Sequence, residues 1–158
     1  MNRLSVYLVA VVMIQASSYA EVTKLAPEHR KALQNSGSFR DVHTTTNLPP
    51  AVVALCADDK GRLADPGQKW EATDLITDAS LPRKRLIWAV AGDQCYYVVH
   101  YERGGRAHSF HVLVATRKKG ETKVTVIWRG IGSQLKDFKA FLAALEGNQL
   151  DDTRDSAY

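Results

Sequence analysis

Between Arg85 and Arg129 the apolar residues arrive in four runs, RLIWAVAG, CYYVVHYE, HSFHVLVAT and VTVIWR. Gly92-Asp93, Gly104-Gly105 and the longer Lys118-Lys119-Gly120-Glu121 stretch separate them. Runs of this length, rich in Val, Ile, Tyr and Trp and bounded by glycine, predict strands joined by turns. A two-residue Gly-X connection suits a type II′ hairpin. Centred on Gly92-Asp93, the first hairpin pairs Trp88 with Tyr97, Leu86 with Val99 and Val90 with Cys95. Centred on Gly104-Gly105, the second pairs Val99 with Phe110, Tyr101 with His108 and Val98 with His111. Side chains alternate between the faces of a strand, so these registers sort the meander into two unlike surfaces. One collects Leu86, Trp88, Val90, Cys95, Tyr97, Val99, Tyr101, His108, Phe110, Val112 and Val114, joined by Val124, Val126 and Trp128. The other collects Tyr96, His100, Glu102, Ser109 and His111 among Ile87, Ala89, Val98 and Leu113.

The rest of the chain supplies cover for the first surface. Leu135, Phe138, Phe141, Leu142 and Leu145 recur at helical spacing and predict a helix over Gln134–Glu146, with Ser133 as N-cap and Gly147 as its stop. Pro50–Ala57 reads as a helix opened by proline, with a strand as the alternative because Val52 and Val53 are β-branched. Pro27–Asn35 reads as a short, lightly docked helix. Phe39–Thr46 and Trp70–Thr77 read as extended pieces, and Asp58–Gly67 as turns. The fold class this implies is α+β: a four-stranded antiparallel β-meander with helices packed on one face, in a single domain over residues 21–150 and with a polar tail over 151–158.

The first twenty residues stand apart. Arg3 precedes an apolar run, Leu4–Ile14, and Gln15–Ala20 ends in small residues, which is the layout of a cleaved signal peptide. The run is shorter than the ~20 residues of a spanning helix. Cleavage is expected after Ala20, giving an exported chain, periplasmic or secreted, with no later membrane span. Losing Arg3 lowers the formal charge from +4 to +3. The basic residues sit mostly in turns, and this weak, scattered excess does not suggest nucleic acid. Export makes a disulfide between the chain's two cysteines, Cys56 and Cys95, the expected pairing. In the loop-entropy model, closing about 40 residues contributes on the order of 3–4 kcal/mol.

The second surface holds the candidate binding residues Tyr96, His100, Glu102, Ser109 and His111. Two histidines fall short of the three or more ligands a metal site needs. Ser109, His100 and Glu102 suggest a triad, but no G-x-S-x-G elbow or oxyanion loop accompanies them. Asp58, Asp59 and Asp65 lack the spacing of a calcium loop. No phosphate loop, dinucleotide fingerprint or haem-attachment motif is present, and no cofactor is implied. The function these features suggest is binding by a small exported protein of inhibitor, immunity or carrier type. Its partner would be a protein ahead of a small apolar ligand. The alternative is a hydrolase or metal-dependent enzyme using His100, Ser109 and His111.

Overall fold

The computed structural model describes residues 24–35, 39–93 and 95–152. The expected leader, residues 1–20, lies outside them, as does the end of the polar tail. In chain order the elements are α1 (Pro27–Gln34), β1 (Phe39–Val42), α2 (Pro50–Cys56), β2 (Lys84–Gly92), β3 (Tyr96–Arg103), β4 (Ser109–Thr116), β5 (Thr125–Gly132) and α3 (Phe138–Glu146). The strands form one open antiparallel sheet in the order β1-β2-β3-β4-β5. The class is α+β, as expected, but with five strands rather than four. The Phe39–Thr46 piece supplies the extra one: Phe39 pairs with Gly92 and Val42 with Ala89 at the β2 edge.

Both hairpins are offset by three residues from the expected pairing. Val90 faces Val98, and Ala91 faces Tyr97. Val99 faces Leu113, and Tyr101 faces His111. The cause lies in the two glycines that read as turn centres. Gly92 is still strand, and a Cβ on it would lie 2.9 Å from the Phe39 ring. The turn closes after it, where Cys95 N–H donates to Gly92 O at 3.0 Å and Cys95 takes φ +63°. Gly104 likewise serves a close approach, since its Cβ would lie 2.2 Å from Glu71 O. Both glycines therefore make room for the N-terminal half of the chain. An offset of three is odd, so each one reverses which side chains share a face.

A bulge at Ile87, between the Leu86–Tyr101 and Trp88–His100 pairs, reverses Leu86 as well. A second bulge separates Val126 from Trp128. The outcome is a sheet covered on both faces, where cover on one face was expected. Leu33 of α1 and Phe141, Ala144 and Leu145 of α3 pack with Val90, Val98, Val112, Val114 and Trp128. Val52 and Cys56 of α2 pack on the other face with Leu86, Ala89, Val99, Tyr101, Leu113 and Ala115.

Helix α3 begins four residues later than its periodicity suggests. Asp137 is the N-cap and accepts from Ala140 N–H at 2.8 Å. The preceding chain is held open because both backbone groups of Leu135 are used by the sheet. Its N–H donates to His100 Nε2 at 3.0 Å, and its C=O accepts from Trp88 Nε1 at 2.9 Å. Of the expected tail, Asp151 bridges Ile131, and the Asp152 carboxylate accepts from Trp128 Nε1 at 2.8 Å and from the Lys24 N–H.

The expected disulfide is absent: Cys56 and Cys95 are both free thiols. Cys56 is the last residue of α2 and fully buried, burial pushes its thiol up to about 12, and the carbonyls on either side of it, Leu55 O and Ala57 O, accept from Arg129 and Lys84. Lys84 and Arg129 lie level with Arg103 and Val99, four to eight residues along β3 from Cys95. At ~3.3 Å per residue that is ~13 Å or more, against the ~4.4–6.8 Å between Cα atoms that a disulfide spans. Protein purified without reductant should therefore titrate two thiols after unfolding, and reductant should move its Tm by no more than ~1 °C, since no loop closure is lost. Finding no titratable thiol would refute this placement.

Candidate functional site

The five residues expected on one surface divide between two. On β3, Tyr96, His100 and Glu102 face α1 and α3. On β4, Ser109 and His111 face α2. The odd offset between β3 and β4 is the reason.

His100 is fully buried and its two ring nitrogens are both occupied. Nδ1 donates to His111 O at 2.9 Å, and Nε2 accepts from Leu135 N–H. That pattern requires the neutral ring, and burial holds its pKa below the usual value. Tyr96 places its hydroxyl 2.7 Å from His29 Nδ1 on α1. Glu102 is 4 % exposed, pairs with Arg85 at 2.7 Å and lies 2.8 Å from His108 Nε2. Trp70 covers this cluster, with the Arg85 guanidinium 5.0 Å from the ring centre and the His108 ring 5.5 Å away.

On the other face, Ser109 Oγ lies 2.8 Å from His111 Nε2, and the His111 ring stacks on Tyr101 at 5.1 Å. Ser109 and His111 are thus in contact, but His100 and Glu102 cannot join them through the sheet. A Ser109–His100–Glu102 triad is not assembled. Among the described residues no group of three or more His, Cys, Asp or Glu is placed to hold a metal ion.

A feature the sequence reading missed lies between Glu71 and Asp78. This stretch was expected to be extended and is instead a tight loop organised by one carboxylate. Glu71 Oε1 accepts from Thr73 Oγ1 at 3.1 Å. Glu71 Oε2 accepts from Thr77 N–H at 3.0 Å, Thr77 Oγ1 at 2.9 Å and Asp78 N–H at 3.1 Å. These bonds, led by the Asp78 amide and the Thr77 hydroxyl, draw the Glu71 carboxyl down to about 2. The base of the loop is clamped to the body: Glu71 N–H donates to Pro82 O at 2.8 Å, and Gly105 N–H to Ala72 O at 3.1 Å.

At the tip stand Leu75 and Ile76, 75 % and 51 % exposed, the large hydrophobic residues left uncovered among those described. The signal available in the sequence is Thr-Asp-Leu-Ile-Thr-Asp, two aliphatics framed on both sides by residues that hydrogen-bond local backbone. Apolar patterning alone places the pair in an extended piece.

At the opposite end of the sheet, an open cleft of about 640 Å³ is lined by Arg40, Asp41, Leu48, Cys95, Tyr97 and Arg117 among others. No helix among the described residues is long and apolar enough to cross a membrane. No family model matches the chain, no curated protein is similar to it in sequence, and no solved structure matches it.

Proposed function

We propose that the protein is an exported binding protein that docks a protein partner through the Glu71–Asp78 loop. The observation that carries this reading is the exposure of Leu75 and Ile76 on a loop whose backbone is already fixed by Glu71. Exposed aliphatic side chains on a flexible loop would lose much of their binding energy to ordering. On a loop held in one shape that loss is smaller. The expected partner surface is an apolar cleft wide enough for two aliphatic side chains. Export is carried by the leader-like residues 1–20. A protein partner is favoured over a small apolar ligand because the cleft near Cys95 is open and carries Arg40, Asp41 and Arg117 on its walls. The enzymatic alternative has less support, because His100 lies on the other face from Ser109 and His111.

The test is affinity capture from the native extract, comparing the protein with a Leu75→Asp/Ile76→Asp variant. Burying each aliphatic side chain contributes ~1.5–3 kcal/mol, so affinity for the captured protein should fall about a hundredfold or more. The variant should keep its Tm within ~1 °C, because exposed positions away from packing seldom matter to stability. A partner retained equally by both forms sinks the proposal.

A further inference from the structure

The α2 face of the sheet gathers three cations that make no ion pair among the described residues. Lys84 pairs across strands with Arg103, and Arg103 with Ser109. In the next row Tyr101 pairs with His111, and beyond it Leu113 pairs with Arg129. Directly opposed residues project to the same side, so Lys84, Arg103, Arg129, Ser109 and His111 share one patch around Tyr101. Lys84 Nζ sits 5.5 Å from the Tyr101 ring centre.

Two of the three cations touch the C-terminal end of α2: Lys84 Nζ donates to Ala57 O at 2.8 Å, and Arg129 Nη1 to Leu55 O at 3.4 Å. Those carbonyls carry only the fractional negative charge of a helix end. Among the described carboxylates, Asp58 attracts Lys84 without pairing with it, and Asp151 continues the His111–Ile131 row. Glu102 faces the other side of the sheet with Arg85 and His108. Asp58 is consumed by Arg62 and by the N–H groups of Lys60, Arg62 and Arg83. Among the described residues Lys84, Arg103 and Arg129 make no ion pair.

A second observation points to a ligand. His111 is 6 % exposed, and its Nδ1 is buried with no hydrogen-bond partner. A buried polar atom left unpaired is destabilising by ~1–3 kcal/mol, and native folds rarely leave one without a reason. If Ser109 O–H donates to Nε2, the ring proton sits on Nδ1 and lacks an acceptor. Lys84, Arg103 and Ser109 are half-buried, so the row beside His111 is reached from solvent.

We infer that Lys84, Arg103, Arg129 and His111 form a binding site for a tetrahedral oxyanion, a phosphate or sulfate group, either free or carried on a larger molecule. Such a group offers acceptors to the Lys84 ammonium, the two guanidiniums and the His111 Nδ1–H, and its charge offsets the like-charge crowding. The crowding is visible in His111 itself. Burial first, then the charges of Lys84 and Arg103, bring its pKa to about 4.

The test is a titration of the whole purified protein at pH 7 with sodium phosphate, sodium sulfate and O-phosphoserine, against sodium chloride at equal ionic strength. The expected result is a Tm rise of several degrees with millimolar phosphate or sulfate and none with chloride. The His111 ring ¹⁵N resonances should move, while those of His100, on the other face, stay fixed. Phosphoserine binding tighter than phosphate would assign the site to a carried group; equal or weaker binding would assign it to the free anion. Arg103→Gln should weaken phosphate at least tenfold, with Lys84→Met as a second variant should that protein fail to fold. Leu75→Asp/Ile76→Asp should bind phosphate normally, which separates this site from the partner loop. Phosphate acting no more strongly than chloride, or equally on Arg103→Gln, would overturn the inference.

Discussion

Replacing His100 by leucine is expected to lower stability by roughly 3–5 kcal/mol, a large share of the ~5–15 kcal/mol that holds a domain folded. The side chain is fully buried, and it satisfies two backbone groups from different parts of the chain, His111 O and Leu135 N–H. Leucine fills the volume but leaves both groups buried and unpaired, at ~1–3 kcal/mol each, and frees the segment that leads into α3. Glutamine, which keeps one donor and one acceptor, should recover part of the loss. Urea unfolding measures both, and a leucine variant within ~1 kcal/mol of the parent would show that the staple is unimportant.

The same residue sets a pH signature. His100 and His111 both titrate below the ordinary 6.5, His111 near 4, with burial the leading cause in each. In the unfolded chain they take up protons below ~6.5, and in the folded chain only at lower pH. Their contribution is therefore fully present above pH 6.5 and is lost as pH falls from there toward 4. The slope reaches at most ~1.4 kcal/mol per pH unit for each histidine. Glu71, drawn down to about 2, acts in the next window: its contribution is present above the usual 4.5 and is lost as pH falls toward 2. Stability measured from pH 7 to 5 should thus drop before the carboxylates titrate, and removing His100 should make that early slope shallower. An unchanged slope in the His100 variant would contradict the buried neutral ring.

The second large effect is expected from Gly104→Ala. The new Cβ would lie 2.2 Å from Glu71 O and 2.8 Å from Ala72 Cα. Both are backbone atoms and cannot swing aside as a side chain would. Either the β3–β4 connection or the Glu71–Ala72 segment must move, which threatens the Gly104 N–H bond to Arg83 O at 3.0 Å and the Gly105 N–H bond to Ala72 O. A loss of about 2–4 kcal/mol is expected, in the range of overpacking at a rigid site. Displacement of Glu71 should also release the loop it organises. The Thr77 and Asp78 amides, which donate to its carboxylate, should then exchange with solvent much faster, and partner capture should weaken although Leu75 and Ile76 are unaltered. Unchanged protection of those amides would show that the loop holds its shape without the Gly104 contact.

The sequence located most elements and little of the site. Pro27 and Pro50 marked the starts of α1 and α2, and Gly147 the end of α3, because these residues act through local backbone chemistry. The four meander strands followed from apolar runs between glycines. What those glycines do is not local. Gly92 and Gly104 accommodate Phe39 and the Glu71–Ala72 backbone, both far away in sequence. No turn rule contains that information, so pairing centred on those glycines sets both hairpins three residues out and draws the candidate face from residues of two faces. Cys95 moved with it, from the core beside Cys56 to a turn. The Glu71 loop stayed hidden for a related reason: its carboxylate organises atoms up to seven residues along the chain, in a geometry that apolar periodicity does not encode.

By itself the sequence determined the α+β class of the fold and the order of the helices and meander strands, since periodicity, proline and glycine act on the chain around them. Only the tertiary structure decided which side of the sheet each strand residue occupies, that α2 lies opposite α1 and α3, and that Leu75 and Ile76 stand in solvent. Those outcomes depend on register, and register here was set by where distant segments pack against two glycines.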